Sequence, residues 1–123
     1  MALLLDSVIL IDHFNGVTEA TQYILENHNQ ISTSVITRAE VLAGFDNKKQ
    51  FDVAKQLLDR FPILPLMQGD ADLAAEYRQK YKIKLPDAFQ AALARNRQLK
   101  LVTRNTKDFI KKRFDFVIVP YKL

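Results

Sequence analysis

Short strand-like runs at 2–5, 31–34, 63–66, 100–103 and 116–119 alternate with longer stretches in which apolar residues recur every three or four positions. Such runs are too short for ordinary helices, and strands covered by helices on both faces read as continuous rather than alternating stretches. The alternation therefore predicts an α/β fold around a mainly parallel sheet of five strands. Between the runs, Ala20, Ile24 and His28 share one helical face over 18–27, and Phe51, Ala54, Leu58 and Phe61 form the stripe of a helix starting near Lys48. Leu73, Tyr77 and Tyr81 do the same for a helix after Asp70, and Pro86 opens a further helix with Leu85 left outside it. That last helix presents Ala88, Ala91 and Ala92, small enough to let its backbone approach the sheet closely. Gly44 is placed to end a helix that starts near Val35, with a turn at 46–49 beyond it.

At 123 residues, with no repeat, low-complexity tract or long linker, the chain is expected to form a single domain over 1–123. The first apolar run stops at Asp6, well short of the roughly 18 apolar residues of a membrane span, so a cytoplasmic protein is expected. Without cysteine, thiolate metal sites and cysteine nucleophiles are excluded, and any metal must be held by oxygen or imidazole. The net charge of +4 is concentrated between Arg95 and Arg113, where Arg95, Arg97, Lys100, Arg104, Lys107, Lys111, Lys112 and Arg113 face one acid, Asp108. A face of this kind attracts polyanions, although it is equally what a solvated surface looks like.

Open α/β sheets place their chemistry at the carboxyl ends of the strands, and four acids are expected there. Asp6 ends the first strand, Glu40 lies two turns beyond the second, Asp87 opens the alanine-faced helix and Asp108 follows the fourth strand. Each has a structural explanation to weigh. Thr37 and Glu40 fit a capping box, Asp87 suits the positive end of a helix dipole, and Asp108 stands three residues after Asn105 as a cap partner would. Asp6 has no helix end or turn that obviously requires it. If the four converge they repel, since two carboxylates about 4 Å apart cost on the order of 4 kcal/mol at an effective dielectric near 20. A hard divalent cation, Mg²⁺ or Mn²⁺, relieves that repulsion, and paired ions of this kind activate water and stabilise the transition state of phosphodiester hydrolysis.

Four segments, in this order, resemble the VapC family of PIN-domain ribonuclease toxins. Leu3 to Asp12 (LLLDSVILID) resembles the family's opening strand and Asp-Thr-Asn motif, and Ser34 to Gly44 (SVITRAEVLAG) its glutamate helix. Leu85 to Ala88 (LPDA) is similar to its third acidic motif and Leu101 to Phe109 (LVTRNTKDF) to its last. The resemblance implies a three-layer α/β/α fold with strand order 3-2-1-4-5, a Mg²⁺- or Mn²⁺-dependent endoribonuclease, homodimerisation, and a cognate antitoxin as partner. Carried over, it makes Asp6, Glu40 and Asp87 metal ligands, has Asp108 complete the quartet directly or through water, and gives Ser7, Thr103 and Asn105 supporting roles. Asp12 takes a supporting or structural place. Val8 stands where the family has asparagine and removes an amide from the neighbourhood of the acids.

Arg95, Arg104, Lys107 and Lys111 are the candidate RNA contacts. His13 and His28 are read as structural or surface residues, and Tyr77 and Tyr81 as core or dimer contacts. Two other function classes compete with the nuclease. One is a PIN-fold module that binds antitoxin or RNA but cleaves weakly. The other is a receiver-like phosphorylation domain, which expects an aspartate ending the third strand; 63–66 ends without one.

Overall fold

A computed structural model describes residues 2–123. The chain runs β1 (Leu3–Leu5), α1 (Ser7–Phe14), α2 (Thr18–Asn27), a 3₁₀ turn (His28–Gln30), β2 (Ile31–Ser34), α3 (Val35–Ala43) and α4 (Lys48–Leu58). It continues through β3 (Ile63–Leu64), α5 (Gln68–Tyr81), α6 (Leu85–Arg97), β4 (Lys100–Val102) and β5 (Val117–Ile118). The five strands form one sheet in the order β3-β2-β1-β4-β5, and every pairing is parallel. The expected order stands, and "mainly parallel" becomes wholly parallel.

Alternation along the strands sends side chains to two cores. Leu4, Leu101 and Val117 face one, with Ala88, Ala91 and Ala92 of α6 and the buried Phe109 and Phe114. Leu3, Leu5 and Val102 face the other, with Ile9 and Leu10 of α1, Ala20 and Ile24 of α2, and Ala54 and Leu58 of α4. Helices thus cover both faces of the sheet, and even the polar residues of β2, Ser32, Thr33 and Ser34, are buried. The alanine face of α6 is wholly buried. Tyr77 and Tyr81 lie edge-on to Phe114 at 5.1 and 5.3 Å between ring centres, half-buried against the core.

Several helix boundaries differ from those the sequence predicts. Leu85 is the first residue of α6, with Lys84 as its extended cap. Pro86 therefore sits one position inside the helix, where its missing N–H is still one of the donors without an intrahelical partner. Helix α5 begins at Gln68, before Asp70, whose carboxylate accepts a hydrogen bond from the Met67 N–H at 2.9 Å. The cap of α3 is Ser34, whose hydroxyl accepts from the Thr37 N–H at 3.0 Å. The Thr37–Glu40 capping box therefore does not form, and Glu40 is released from that role. Gly44 does end α3, though with right-handed backbone; left-handed backbone occurs instead at Lys82 and Gln98, closing α5 and α6.

Candidate active site

Parallel strands that all point one way bring their carboxyl ends to one edge of the sheet, and the acids collect there. A cleft of about 320 Å³ at this edge is walled by Asp6, Ser7, Val8, Glu40, Lys84, Pro86, Asp87, Asn105 and Asp108. All four predicted acids and two of the predicted supporting residues, Ser7 and Asn105, thus share one cavity.

Asp6 is buried and caps α1, a helix end that its sequence context did not reveal. One oxygen, Oδ1, accepts from the Ser7 N–H at 2.9 Å and from Gln90 Nε2 at 3.4 Å; the other, Oδ2, accepts from Thr103 Oγ1 at 2.7 Å. Three of its roughly four acceptor positions are filled, all by neutral donors, which leaves about one for a cation. Burial raises its pKa, and the bonds from Thr103, Gln90 and Ser7 oppose the rise. Thr103, itself buried, also accepts from the Asn105 N–H at 3.0 Å, so the loop after β4 is tied to Asp6.

Glu40 stands more openly on α3 and accepts a 3.1 Å hydrogen bond from Ser7 Oγ. Partial desolvation raises its pKa, the Ser7 bond lowers it and the charge of Asp6 raises it again. Asp87, in the first turn of α6, is pushed up to about 7. Burial is the main cause, followed by the charges of Asp6, Asp108 and Glu40, and by a hydrogen bond to Asp108 that favours the protonated form. Asp108 and Asn105 hold each other: Asn105 Nδ2 donates to Asp108 Oδ2 at 3.1 Å, and the Asp108 N–H donates to Asn105 Oδ1 at 3.3 Å. The reciprocal pairing expected of Asn105 and Asp108 forms in a turn, with no helix to cap, and does not keep Asp108 from the cleft.

Hard oxygen donors in a cavity whose carboxylates repel one another suit a divalent cation such as Mg²⁺ or Mn²⁺. Among the described residues no three acids stand close enough to enclose one ion as they are. Holding a cation therefore calls for rotation of the less buried Glu40 and Asp87, or for water between the carboxylates and the ion.

The predicted basic face divides. Arg104 gives its guanidinium to Asp12, with Nε and Nη2 donating at 2.8 and 2.9 Å, so its fork is engaged within the protein. Tyr121 adds a hydroxyl donor to the same carboxylate at 2.8 Å, and Asp12 is accordingly a structural residue with its pKa lowered chiefly by Arg104. Arg95 lies eight residues beyond Asp87 on α6, about 12 Å along the axis, and walls a separate cleft of about 420 Å³ with Lys100 and Asp115. That cleft opens at the amino end of β4, away from the acids. Lys107 and Lys111 remain exposed in the segment that carries Asp108. His13 Nδ1 pairs with Thr21 Oγ1 at 2.7 Å and His28 lies beside the Leu25 carbonyl, so neither imidazole reaches the cleft.

Sequence reasoning gave no site role to Lys84, Gln90, Ser34 or Thr37. Gln90 is the one polar residue in the run from Ala88 to Ala94, and a lone amide on an apolar face was the available signal. Lys84 stands only three residues before Asp87, at the cap of the same helix, and that spacing was the signal available for it.

The PIN domain family profile matches residues 3–115. Among solved structures, a toxin–antitoxin complex from Klebsiella pneumoniae is 39% identical at a TM-score of 0.89, covering 98% of this chain and 99% of that one. FitAcB from Neisseria gonorrhoeae, at 24% identity and TM-score 0.82, covers 98% and 99%. VapBC2 from Rickettsia felis, crystallised with a promoter DNA fragment, has 23% identity and TM-score 0.78 over 96% of each chain. The last two show likeness of fold alone. Among curated proteins, none matches the chain.

Proposed function

Because the chain belongs to the PIN domain family, we propose that it is a metal-dependent endoribonuclease, a single domain over 1–123, acting as the toxin of a toxin–antitoxin pair. The observation that carries the reading is the cleft in which Asp6, Glu40, Asp87 and Asp108 meet beside Lys84. Asp6, Glu40 and Asp87 are the proposed ligands of Mg²⁺ or Mn²⁺, with Asp108 completing the set directly or through water. Bound there, the cation supplies Lewis acidity toward the phosphodiester and toward the attacking water.

The chain's own residues do the rest. Ser7, Thr103 and Asn105 fix the carboxylates of Glu40, Asp6 and Asp108 by the hydrogen bonds described above. Lys84, on the cleft wall, and the exposed Lys107 and Lys111 offer cations to the phosphates of RNA, roles that Arg95 and Arg104 are poorly placed to fill. The Klebsiella pneumoniae relative is described as a toxin–antitoxin complex, which supports a cognate antitoxin as partner here; assembly as a homodimer is proposed on the family resemblance. Among the described residues no helix is long and apolar enough to cross a membrane.

A second reading has one observation in its favour. Val8 presents an apolar wall to the acid cleft, which suits a PIN module that binds antitoxin or RNA and cleaves weakly. Incubating total RNA with the purified, partner-free protein decides between them. Cleavage with Mg²⁺ or Mn²⁺, its loss in chelator and its loss in Asp87→Asn are the expected results. A folded protein that binds RNA but cleaves under none of these conditions overturns the nuclease.

A further inference from the structure

Gln90 is almost completely buried, at 1% exposure, on the face of α6 that otherwise packs alanines against the sheet. An apolar side chain there would join that core without desolvating an amide. The structure instead satisfies every polar hydrogen and the oxygen of the amide. Oε1 accepts from Ser34 Oγ at 2.6 Å, and Nε2 donates to Thr37 Oγ1 at 2.7 Å and to Asp6 Oδ1 at 3.4 Å. The orientation of the amide follows from its partners. Ser34 Oγ already accepts from the Thr37 N–H, so its hydrogen is free for Oε1, while Thr37 Oγ1 spends its own hydrogen on the Leu5 carbonyl at 3.2 Å and can only accept. Turning the amide over would set Oε1 against the Asp6 carboxylate, acceptor against acceptor.

We infer that Gln90 is a positioning residue of the acid cleft, steadying Asp6 for a cation by a neutral amide anchored where β2 ends and α3 begins. The inference rests on the nuclease reading and deepens it. Two segments that lie far apart in sequence meet on this one amide: the end of β1 through Asp6, and the junction of β2 and α3 through Ser34 and Thr37. The same junction begins the element that carries Glu40, so the network fixes Asp6 relative to a second proposed ligand. A neutral donor matters as much as its position. A lysine or arginine at 90 would hold Asp6 equally well but would cancel the charge that draws the cation. Glutamine restrains the oxygen and leaves the charge in place. The long 3.4 Å contact to Asp6 makes Gln90 a guide and Thr103, at 2.7 Å, the stronger tether.

The test measures Mn²⁺ affinity directly, from the free-ion electron paramagnetic resonance signal, alongside melting and RNA cleavage. Gln90→Met keeps length and volume and removes the amide; Ile24→Val, in the core on the other side of the sheet, reproduces a loss of melting temperature without touching the network. Gln90→Met is expected to weaken Mn²⁺ binding about tenfold, some 1.4 kcal/mol, while Ile24→Val leaves it unchanged. Thr37→Val, which removes the acceptor that steers Nε2, should weaken binding about threefold, and it decides the matter if Gln90→Met fails to fold. Wild-type protein that binds Mn²⁺ together with variants that bind it equally well overturns the positioning role alone. Wild-type protein that binds no Mn²⁺ overturns the nuclease reading and the positioning role with it.

Discussion

Replacing Asp87 by asparagine is expected to make the metal-free protein more stable at neutral pH while abolishing cleavage. Asparagine copies the protonated acid: it is neutral, nearly isosteric, and can donate to Asp108 as the protonated carboxyl does. A rise in the Asp87 pKa from 3.8 to about 7 spans about three pH units, or ~4 kcal/mol at about 1.4 kcal/mol per unit. Because Asp87 is only about half buried, solvent screening reduces this to about 2 kcal/mol. The sign follows from proton counts. Between about pH 4 and pH 7 the folded protein holds a proton on Asp87 that the unfolded chain has lost, so folding stability falls as pH rises through that window. The wild type and Asp87→Asn should melt together near pH 4 and diverge above it. By pH 8 in chelator the variant should lead by up to about 8 °C, taking about 4 °C per kcal/mol for a domain of this size. Adding Mn²⁺ should then raise the wild type and close the gap, because a cation replaces the proton as the neutralising charge. Thermal melts across this pH range, with and without Mn²⁺, test the account. A variant that melts below the wild type at pH 8, or a gap that does not depend on pH, would show that Asp87 is not under carboxylate repulsion.

Three further outcomes are expected. Asp12→Asn should cost about 2 kcal/mol at neutral pH, less than a fully buried pair because the Arg104 side chain keeps 32% of its surface. Since the Asp12 pKa is lowered on folding, that cost should be present above about pH 4 and vanish as pH falls through the folded value; equal losses in denaturant melts at pH 7 and pH 3 would contradict it. Lys84→Met should reduce the salt slope of single-stranded RNA binding by about 0.7, one phosphate contact, with stability changed by less than about 0.5 kcal/mol; an unchanged slope would take Lys84 off the RNA path. Val8 is half-buried, packing on the core around Ile9 while also walling the acid cleft, so Val8→Asn should place its amide at the acids and raise cleavage by about one power of ten. An unchanged rate with a marked loss of melting temperature would make Val8 an ordinary core residue.

Much of this protein was legible along the chain because its determinants are local. Runs of four residues mark the five strands, which the structure trims to between two and four, and the face of Ala88, Ala91 and Ala92 marks a helix that lies close on the sheet. Parallel strands leave their carboxyl ends at one edge, so Asp6, Glu40, Asp87 and Asp108 could be gathered from their positions after strands and at a helix start. Local rules also misled where two explanations shared one pattern. Thr37 to Glu40 spells a capping box, yet Ser34 takes the cap because β2 ends there and its hydroxyl is the one within reach of the Thr37 N–H. Asp6 looked free of any helix end because nothing in its neighbours announces that α1 starts at the very next residue.

What only the tertiary structure decided is the choice of partners between distant residues. Arg104 read as a cation awaiting phosphate, and folding brings Asp12, 92 positions away, under its fork. Arg95 read as part of the same basic face, but the helix that starts at the acids carries it about 12 Å away. Gln90 carried no reading along the chain, and only the fold brings β1, β2 and α3 together on it. A side chain's own sequence fixes which bonds it can make. Which of them it does make depends on the crossover connections that set strands β2, β1 and β4 side by side, and no residue at either end of such a connection carries that information alone.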